Sequence, residues 1–138
     1  MKKIIMLLIA FLFTVSCAGV QKSKAPVAPI VPAPNYTGTW TGPVSVQGQT
    51  GTFIMSLIHE GDTITGTLSD GSGMISNAQL TNVVLKDRVL SFSIIVASPQ
   101  GSVPVNFTGT FAENNKEYTA TFEVPMVQMS GNVKFIKS

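Results

Sequence analysis

A period-two alternation of apolar and polar residues runs through most of this 138-residue chain, and it constrains the fold more than any other feature. In "GTFIMSLIHEGDTITGTLSD", residues 51–70, Phe53 and Met55 fall on one face of a strand, and Ile64 and Leu68 continue the pattern after "EGD". Successive side chains of a strand point to opposite faces of a sheet. This spacing therefore predicts two strands, each with one buried face, and a hairpin turn between them.

The same alternation returns in two later stretches. These are "LTNVVLKDRVLSFSIIVAS" at 80–98 and "SVPVNFTGTFAENNKEYTATFEV" at 102–124, with turns expected at 86–88 and 113–116. About eight strands joined by tight turns form a meander, and a meander loses its two exposed edges when it closes on itself. The sequence therefore predicts an all-β fold, a single up-and-down antiparallel β-barrel over residues 36–138.

A "TGT" motif occurs three times, centred on Gly38, Gly66 and Gly109. A glycine inside a strand allows a sharp bend or the close approach of another backbone. None of the three motifs has the spacing of a phosphate-binding loop, and none precedes a helical pattern. We expect these glycines to be points where the sheet coils.

The amino terminus has the pattern of a secretory signal. "MKK" is followed by ten apolar residues at 4–13 and by "TVS", and Cys17 is the only cysteine of the chain. A positive start, a short apolar run and small residues are typical of a signal peptide. Ten helical residues rise about 15 Å, which is half of a hydrocarbon core, so a membrane-spanning helix is not expected. We predict a signal peptide at 1–16.

The residues Thr14-Val15-Ser16-Cys17 resemble the lipobox of bacterial lipoproteins. The resemblance implies cleavage before Cys17 and acylation, with palmitate among the acyl groups, so that acyl chains on Cys17 anchor the protein to a membrane. Ala18 in place of Asp implies the outer membrane of the cell envelope, if the cell is Gram-negative. The alternative is an ordinary secretory signal that ends near Ala18 or Gly19, so that Cys17 is discarded with it. A lone cysteine forms no internal disulfide, which favours its use as an attachment point.

The segment 17–35 has the composition of a linker, and the residues that follow it have a different charge balance from the whole chain. Four of the eight prolines lie between Pro26 and Pro34, which predicts an extended linker that follows the lipidated cysteine. From Asn35 onward five basic residues stand against all seven acids, for a formal charge of about −2. No basic stripe is present, so nucleic acid is not expected as a partner.

Catalytic groups are sparse. The chain has one histidine, His59, and no Gly-x-Ser-x-Gly motif, so neither a histidine-activated serine nor a pair of imidazole ligands is predicted. His59, Glu60 and Asp62 surround one turn and could meet a divalent ion, although such a cluster is more often a solvated turn. We expect no enzyme activity, no metal and no cofactor.

The stretch "YTGTWTG" resembles the opening of lipocalins and of avidin-like barrels, with Trp40 in the position of their first-strand tryptophan. "ITGTLS" is similar to the second hairpin of avidin-like chains. The resemblance implies that Trp40 packs across a closed barrel end against a late basic residue, either Lys134 or Lys137. Biotin binding is not implied, because avidin-like proteins enclose biotin with several tryptophans and this chain has one.

Two functions remain open on the sequence. In the first, the barrel binds a small apolar ligand, and the candidate lining residues are Trp40, Phe53, Met55, Phe92, Phe107 and Phe122. In the second, the same side chains fill the lumen as an ordinary core, and the protein is a structural or interaction lipoprotein that presents a threonine-rich outer face to a protein or glycan. An open cavity favours the first function, and a contiguous apolar outer patch favours the second.

Overall fold

The computed structural model describes residues 33–138, which form one compact unit, Ala33–Ser138. The signal peptide predicted at 1–16, the acylation predicted at Cys17 and most of the predicted linker lie outside the described residues. In the part of the chain that is described, no helix has the length and apolar character needed to cross a membrane.

The unit consists almost entirely of antiparallel strands. The strands are β1 (Gly38–Val46), β2 (Gln49–Glu60), β3 (Thr63–Asp70), β4 (Ala78–Gln79), β5 (Thr81–Lys86), β6 (Val89–Ser98), β7 (Gly101–Phe111), β8 (Glu117–Val124) and β9 (Met129–Lys137), with a single 3₁₀ turn at Pro125–Val127. Their order in the sheet is β4-β3-β2-β1-β9-β8-β7-β6-β5, so every neighbouring pair except β1 and β9 is consecutive along the chain. The predicted all-β, up-and-down barrel is confirmed.

The barrel is nearly closed by the segment that contains β4 and β5. These two strands form opposite edges of the sheet, yet only Leu80 separates them. The Leu80 N–H donates to the Gly66 carbonyl of β3 at 3.0 Å, and the Thr81 hydroxyl donates to the Ser93 carbonyl of β6 at 3.1 Å. One stretch of chain thus passes from β3 to β6, and its division at Leu80 into β4 and β5 raises the count from the expected eight strands to nine.

The predicted turns occur where the sequence placed them. Glu60 pairs with Thr63 across a two-residue turn, and Lys86 pairs with Val89 across another. Positive φ angles at Gly61 (60°), inside the first turn, and Asp87 (57°), inside the second, fit the tight hairpins that match strand twist.

Two of the three "TGT" glycines lie where neighbouring backbones come very close. A Cβ at Gly66 would collide with the Ser56 carbonyl of β2, and a Cβ at Gly109 would collide with the Thr119 carbonyl of β8. Only glycine allows such an approach, which is one of the two roles expected for a glycine inside these strands.

The barrel has two unlike ends. At the first, here called the Trp40 end, β1 begins and the turns at 61–62, 87–88 and 112–116 gather. At the other, the open end, lie the turns at 47–48, 71–77, 99–100 and 125–128. The buried core of the described residues, from Tyr36 to Phe135, and the nine strands belong to Ala33–Ser138, so we expect this segment to fold on its own.

Candidate functional site

Aromatic residues fill the Trp40 end. Tyr36, which precedes β1, lies flat between two rings, with its centroid 3.7 Å from that of Phe111 and 5.2 Å from that of His59. The indole N–H of Trp40 donates to the Tyr36 carbonyl at 2.9 Å, and the Tyr118 hydroxyl donates to a backbone carbonyl of β6. Tyr36, Trp40, Phe111 and Tyr118 are each at most 1% exposed. We call these four residues the aromatic plug.

The basic residue that packs on Trp40 is Lys137. Its Nζ lies 5.7 Å from the centroid of the indole ring and donates to the Asn35 carbonyl at 3.2 Å. An ammonium group over an indole face is attracted by the ring quadrupole. Lys134, the other candidate, instead forms an exposed ion pair with Glu117 at 3.1 Å. The structure therefore brings Trp40 together with Lys137, one of the two lysines expected to pack against it.

A second group of rings occupies the middle of the lumen. Phe92 and Phe107 stack with their centroids 4.8 Å apart, and Phe107 lies 5.9 Å from Phe122. Gly131 leaves room for the Phe122 ring, because a Cβ there would lie 2.6 Å from its Cζ. Phe53 meets Phe107 and Phe122 edge-on at 6.0 Å and is only half-buried. Packing therefore loosens from the plug toward the open end.

Beyond these rings an apolar cavity of about 250 Å³ opens at the end opposite to Trp40. Its walls come from strands β1, β2, β3, β6, β7, β8 and β9 and from the loop at 71–77. The lining residues are Val46, Phe53, Asp70, Met74, Ile75, Ile94, Val96, Val103, Val105, Phe107, Phe122, Val124 and Met129. Twelve of these thirteen side chains are apolar. The exception is Asp70, at the end of β3.

The six residues predicted to line a pocket divide into two groups of three. Phe53, Phe107 and Phe122 line the cavity. Trp40 and Met55 are fully buried toward the plug, where they face each other across β1 and β2, and Phe92 is buried behind Phe107. The latter three belong to the core and do not reach the cavity.

The valines and methionines of the cavity were not singled out by the sequence analysis. Val103 and Val105 alternate along β7 on the same face as Phe107, so the period-two pattern does carry a signal for them. Met74 and Met129 lie in a loop and at a strand start, where no period applies. Met74 is 76% exposed, which places an apolar side chain at the rim of the cavity.

Asp70 organises the loop at 71–77 beside the cavity. Its Oδ1 accepts the Ile75 N–H at 3.0 Å, and its Oδ2 accepts the Ser72 hydroxyl at 2.6 Å. Burial opposes ionisation of Asp70, but the hydrogen bonds from Ser72 and from loop N–H groups outweigh it and hold its pKa below the ordinary value. Asp70 is therefore ionised at neutral pH.

A second, more polar recess of about 440 Å³ adjoins the apolar cavity. It lies between the β1–β2 hairpin and the loop at 71–77, where Gln47, Gln49, Thr50, Thr52 and Ser72 supply uncharged polar groups. The two spaces share five lining residues, namely Val46, Phe53, Asp70, Met74 and Met129. An amphipathic molecule could therefore place an apolar part in the cavity and a polar part in the recess.

The turn that carries His59, Glu60 and Asp62 lies at the Trp40 end, away from the cavity. The His59 ring stacks on Tyr36, and its Nδ1 accepts the Tyr36 N–H at 3.4 Å. Residues 33–138 contain no group of three or more histidine, cysteine or acidic residues arranged to hold a metal ion. The imidazole serves to cover the plug.

Comparisons of the chain with protein-family models, with curated proteins and with solved structures found no match.

Proposed function

We propose that this protein is a lipid-anchored lipoprotein of the cell envelope whose barrel binds a small apolar ligand at its open end. The observation that carries the proposal is the cavity beyond Phe107 and Phe122, which has an apolar wall and an opening. Binding sites for small molecules are typically concave, mostly apolar and supplied with a few polar groups. Asp70 and the adjoining recess are the polar groups here.

The volume of the cavity limits the size of the apolar part. An apolar cavity of about 150 Å³ accommodates benzene, so by proportion about 250 Å³ accommodates roughly ten carbon atoms. That corresponds to two fused aromatic rings or to a medium-length alkyl chain. A longer ligand would extend past Met74 into the recess or into solvent.

Membrane attachment through acyl chains on Cys17 is supported by the signal-like amino terminus and by the lipobox resemblance. The chain enters the barrel at the Trp40 end, where the Asn35 carbonyl accepts a hydrogen bond from Lys137. The cavity opens at the other end. Because the entry point of the chain and the cavity are on opposite ends, residues 33–37 do not obstruct the opening.

The alternative, an interaction lipoprotein with a filled barrel, has less support. Three of the exposed large apolar residues of the described segment, Met74, Met126 and Val127, lie on turns at the open end. The others are distributed over four strands: Ile54 and Ile58 on β2, Val84 on β5, Val89 and Ile95 on β6, and Ile136 on β9. Singly exposed apolar residues of this kind are normal on a protein surface.

A fluorescence titration of Ala33–Ser138 tests ligand binding. The uncharged probe N-phenyl-1-naphthylamine carries a ten-carbon naphthyl ring of the size that the cavity accepts. We expect saturable binding to one site. A Val103→Phe substitution places a phenyl ring inside the cavity and should weaken probe binding at least tenfold, whereas Val89→Phe adds the same ring to the outer surface and should leave binding unchanged.

Denaturant melts must accompany the titration, so that a change in binding is compared only between folded variants. Absence of saturable binding in the parent segment would contradict the proposal. Equal probe affinities for Val103→Phe and the parent would place the probe elsewhere and contradict it equally.

A further inference from the structure

The charges of the barrel are distributed unevenly between its two ends. Of the five basic residues of the described segment, four lie at or beside the turns of the Trp40 end, namely Lys86, Arg88, Lys116 and Lys137. The fifth, Lys134, lies within β9 and forms an ion pair with Glu117. The open-end turns at 47–48, 71–77, 99–100 and 125–128 contain no charged residue at all. The open end therefore has no cation that could balance an anionic ligand group.

Asp70 is the one charged residue that lines both the cavity and the recess. Glu123, the other acid near this end, lies on the solvent-exposed face of β8 and lines neither. The hydrogen bonds that Asp70 accepts from Ser72 and Ile75 fix the carboxylate at the boundary between the two spaces. Both hydrogen-bond donors are neutral groups, so the Asp70 carboxylate keeps its full negative charge.

On the basis of the proposed ligand function, we infer that the open end selects amphiphiles with a cationic head group, such as an alkylammonium, over those with an anionic one. The alkyl part occupies the apolar cavity, and the ammonium group lies in the recess beside the Asp70 carboxylate. The uncharged glutamine, threonine and serine side chains of the recess can solvate the head group as well. A carboxylate or phosphate head group would instead meet Asp70 at close range with no compensating lysine or arginine.

A matched series of ten-carbon ligands tests this selectivity at pH 7. Decylammonium, decan-1-ol and decanoate share one tail and differ only in the charge of the head group. Their affinities for Ala33–Ser138 can be measured below their micelle-forming concentrations by displacement of N-phenyl-1-naphthylamine. Partly exposed charge pairs contribute modestly, so we expect decylammonium to bind about fivefold to tenfold more tightly than decanoate, with decan-1-ol between them.

Two carboxylate-to-amide variants test whether Asp70 causes the difference in affinity between decylammonium and decanoate. Asp70→Asn should remove most of the difference between decylammonium and decanoate and leave the affinity for decan-1-ol nearly unchanged. Glu123→Gln makes the same change in net charge on the outer surface and should preserve the difference. If the difference persists in folded Asp70→Asn, the assignment to Asp70 is wrong.

The parent segment provides a test that does not depend on folding of the Asp70→Asn variant. Raising the ionic strength from about 0.01 M to about 0.5 M should narrow the ratio of decylammonium to decanoate affinity, because salt screens partly exposed charges. Decanoate binding as tight as decylammonium at low salt would overturn the selectivity while leaving the apolar site intact. Failure of all three ligands to displace the probe, or of the probe to bind, would refute the apolar site itself.

Discussion

Truncation of Phe92 and of Phe53 to alanine should have clearly different effects on the free energy of unfolding. Phe92 is 2% exposed, stacks against Phe107 and does not line the cavity. Removing such a ring forfeits its transfer free energy and leaves a new void, at a typical total of about 3 to 5 kcal/mol. That is a large part of the 5 to 15 kcal/mol by which domains are usually stable.

Phe53 lines a space that is already open. Full burial of a phenylalanine side chain contributes roughly 1.5 to 3 kcal/mol, and Phe53 is only partly buried, so its transfer free energy is about 1 to 2 kcal/mol. Its loss enlarges the existing cavity without creating a closed void, and its aromatic neighbours Phe107 and Phe122 are 6.0 Å away. We therefore expect a loss of about 1 to 2 kcal/mol for Phe53→Ala.

Urea melts of Ala33–Ser138 followed by far-UV circular dichroism measure both losses. The midpoints should move while the slopes stay equal, because a slope change would mean that the unfolded or native state had changed compactness. Losses that agree within about 0.5 kcal/mol for the two variants would refute the division of the lumen into a filled half and an open half.

Three further predictions concern other parts of the chain. Gly109→Ala should destabilise the segment by about 2 kcal/mol or more in a urea melt, because the new methyl group collides with the Thr119 carbonyl; a loss below 0.5 kcal/mol would mean that the strands separate freely. Burial raises the pKa values of Tyr118 and Tyr36, so the fold favours their neutral forms, and stability should fall as the pH rises above about 10, where tyrosines of the unfolded chain ionise. Tyr118→Phe should reduce that slope in melts between pH 9 and 12, and an unchanged slope would contradict the assignment. Cys17→Ser should abolish acylation and cleavage before residue 17 in the full chain, and a processed protein in the membrane fraction would contradict the lipoprotein interpretation.

The strands were predictable because a strand with one buried face and one exposed face alternates apolar and polar residues along the sequence. Phe107 and Phe122 fall on inward faces for this reason, and they pair with each other across β7 and β8. The division of one strand at Leu80 was not predictable. It depends on how the sheet closes between Gly66 and Ser93, which are far apart in sequence, and period two contains no information on closure.

The sequence predicted which residues of the candidate site face the inside of the barrel, but it did not predict how far along the barrel axis each one lies. Alternation identifies inward residues, but position along the barrel axis is set jointly by all strand pairings. Trp40 and Phe53 share an inward face pattern, yet only Phe53 reaches the cavity. Asp70 carried a weak local signal, because "DGSG" is typical of a turn in which an aspartate accepts loop N–H groups. Nothing local indicated that this turn would border an apolar cavity.

Methyl NMR of Ala33–Ser138 during titration with decan-1-ol is the most direct test of the claim that the open end binds an apolar ligand. We expect saturable shifts for the methyl groups of Val46, Val103 and Met129, which line the cavity, and no shifts for Leu57 and Ile64, which are buried toward the Trp40 end. Spectra unchanged at every methyl group, or saturable shifts confined to Leu57 and Ile64, would contradict it.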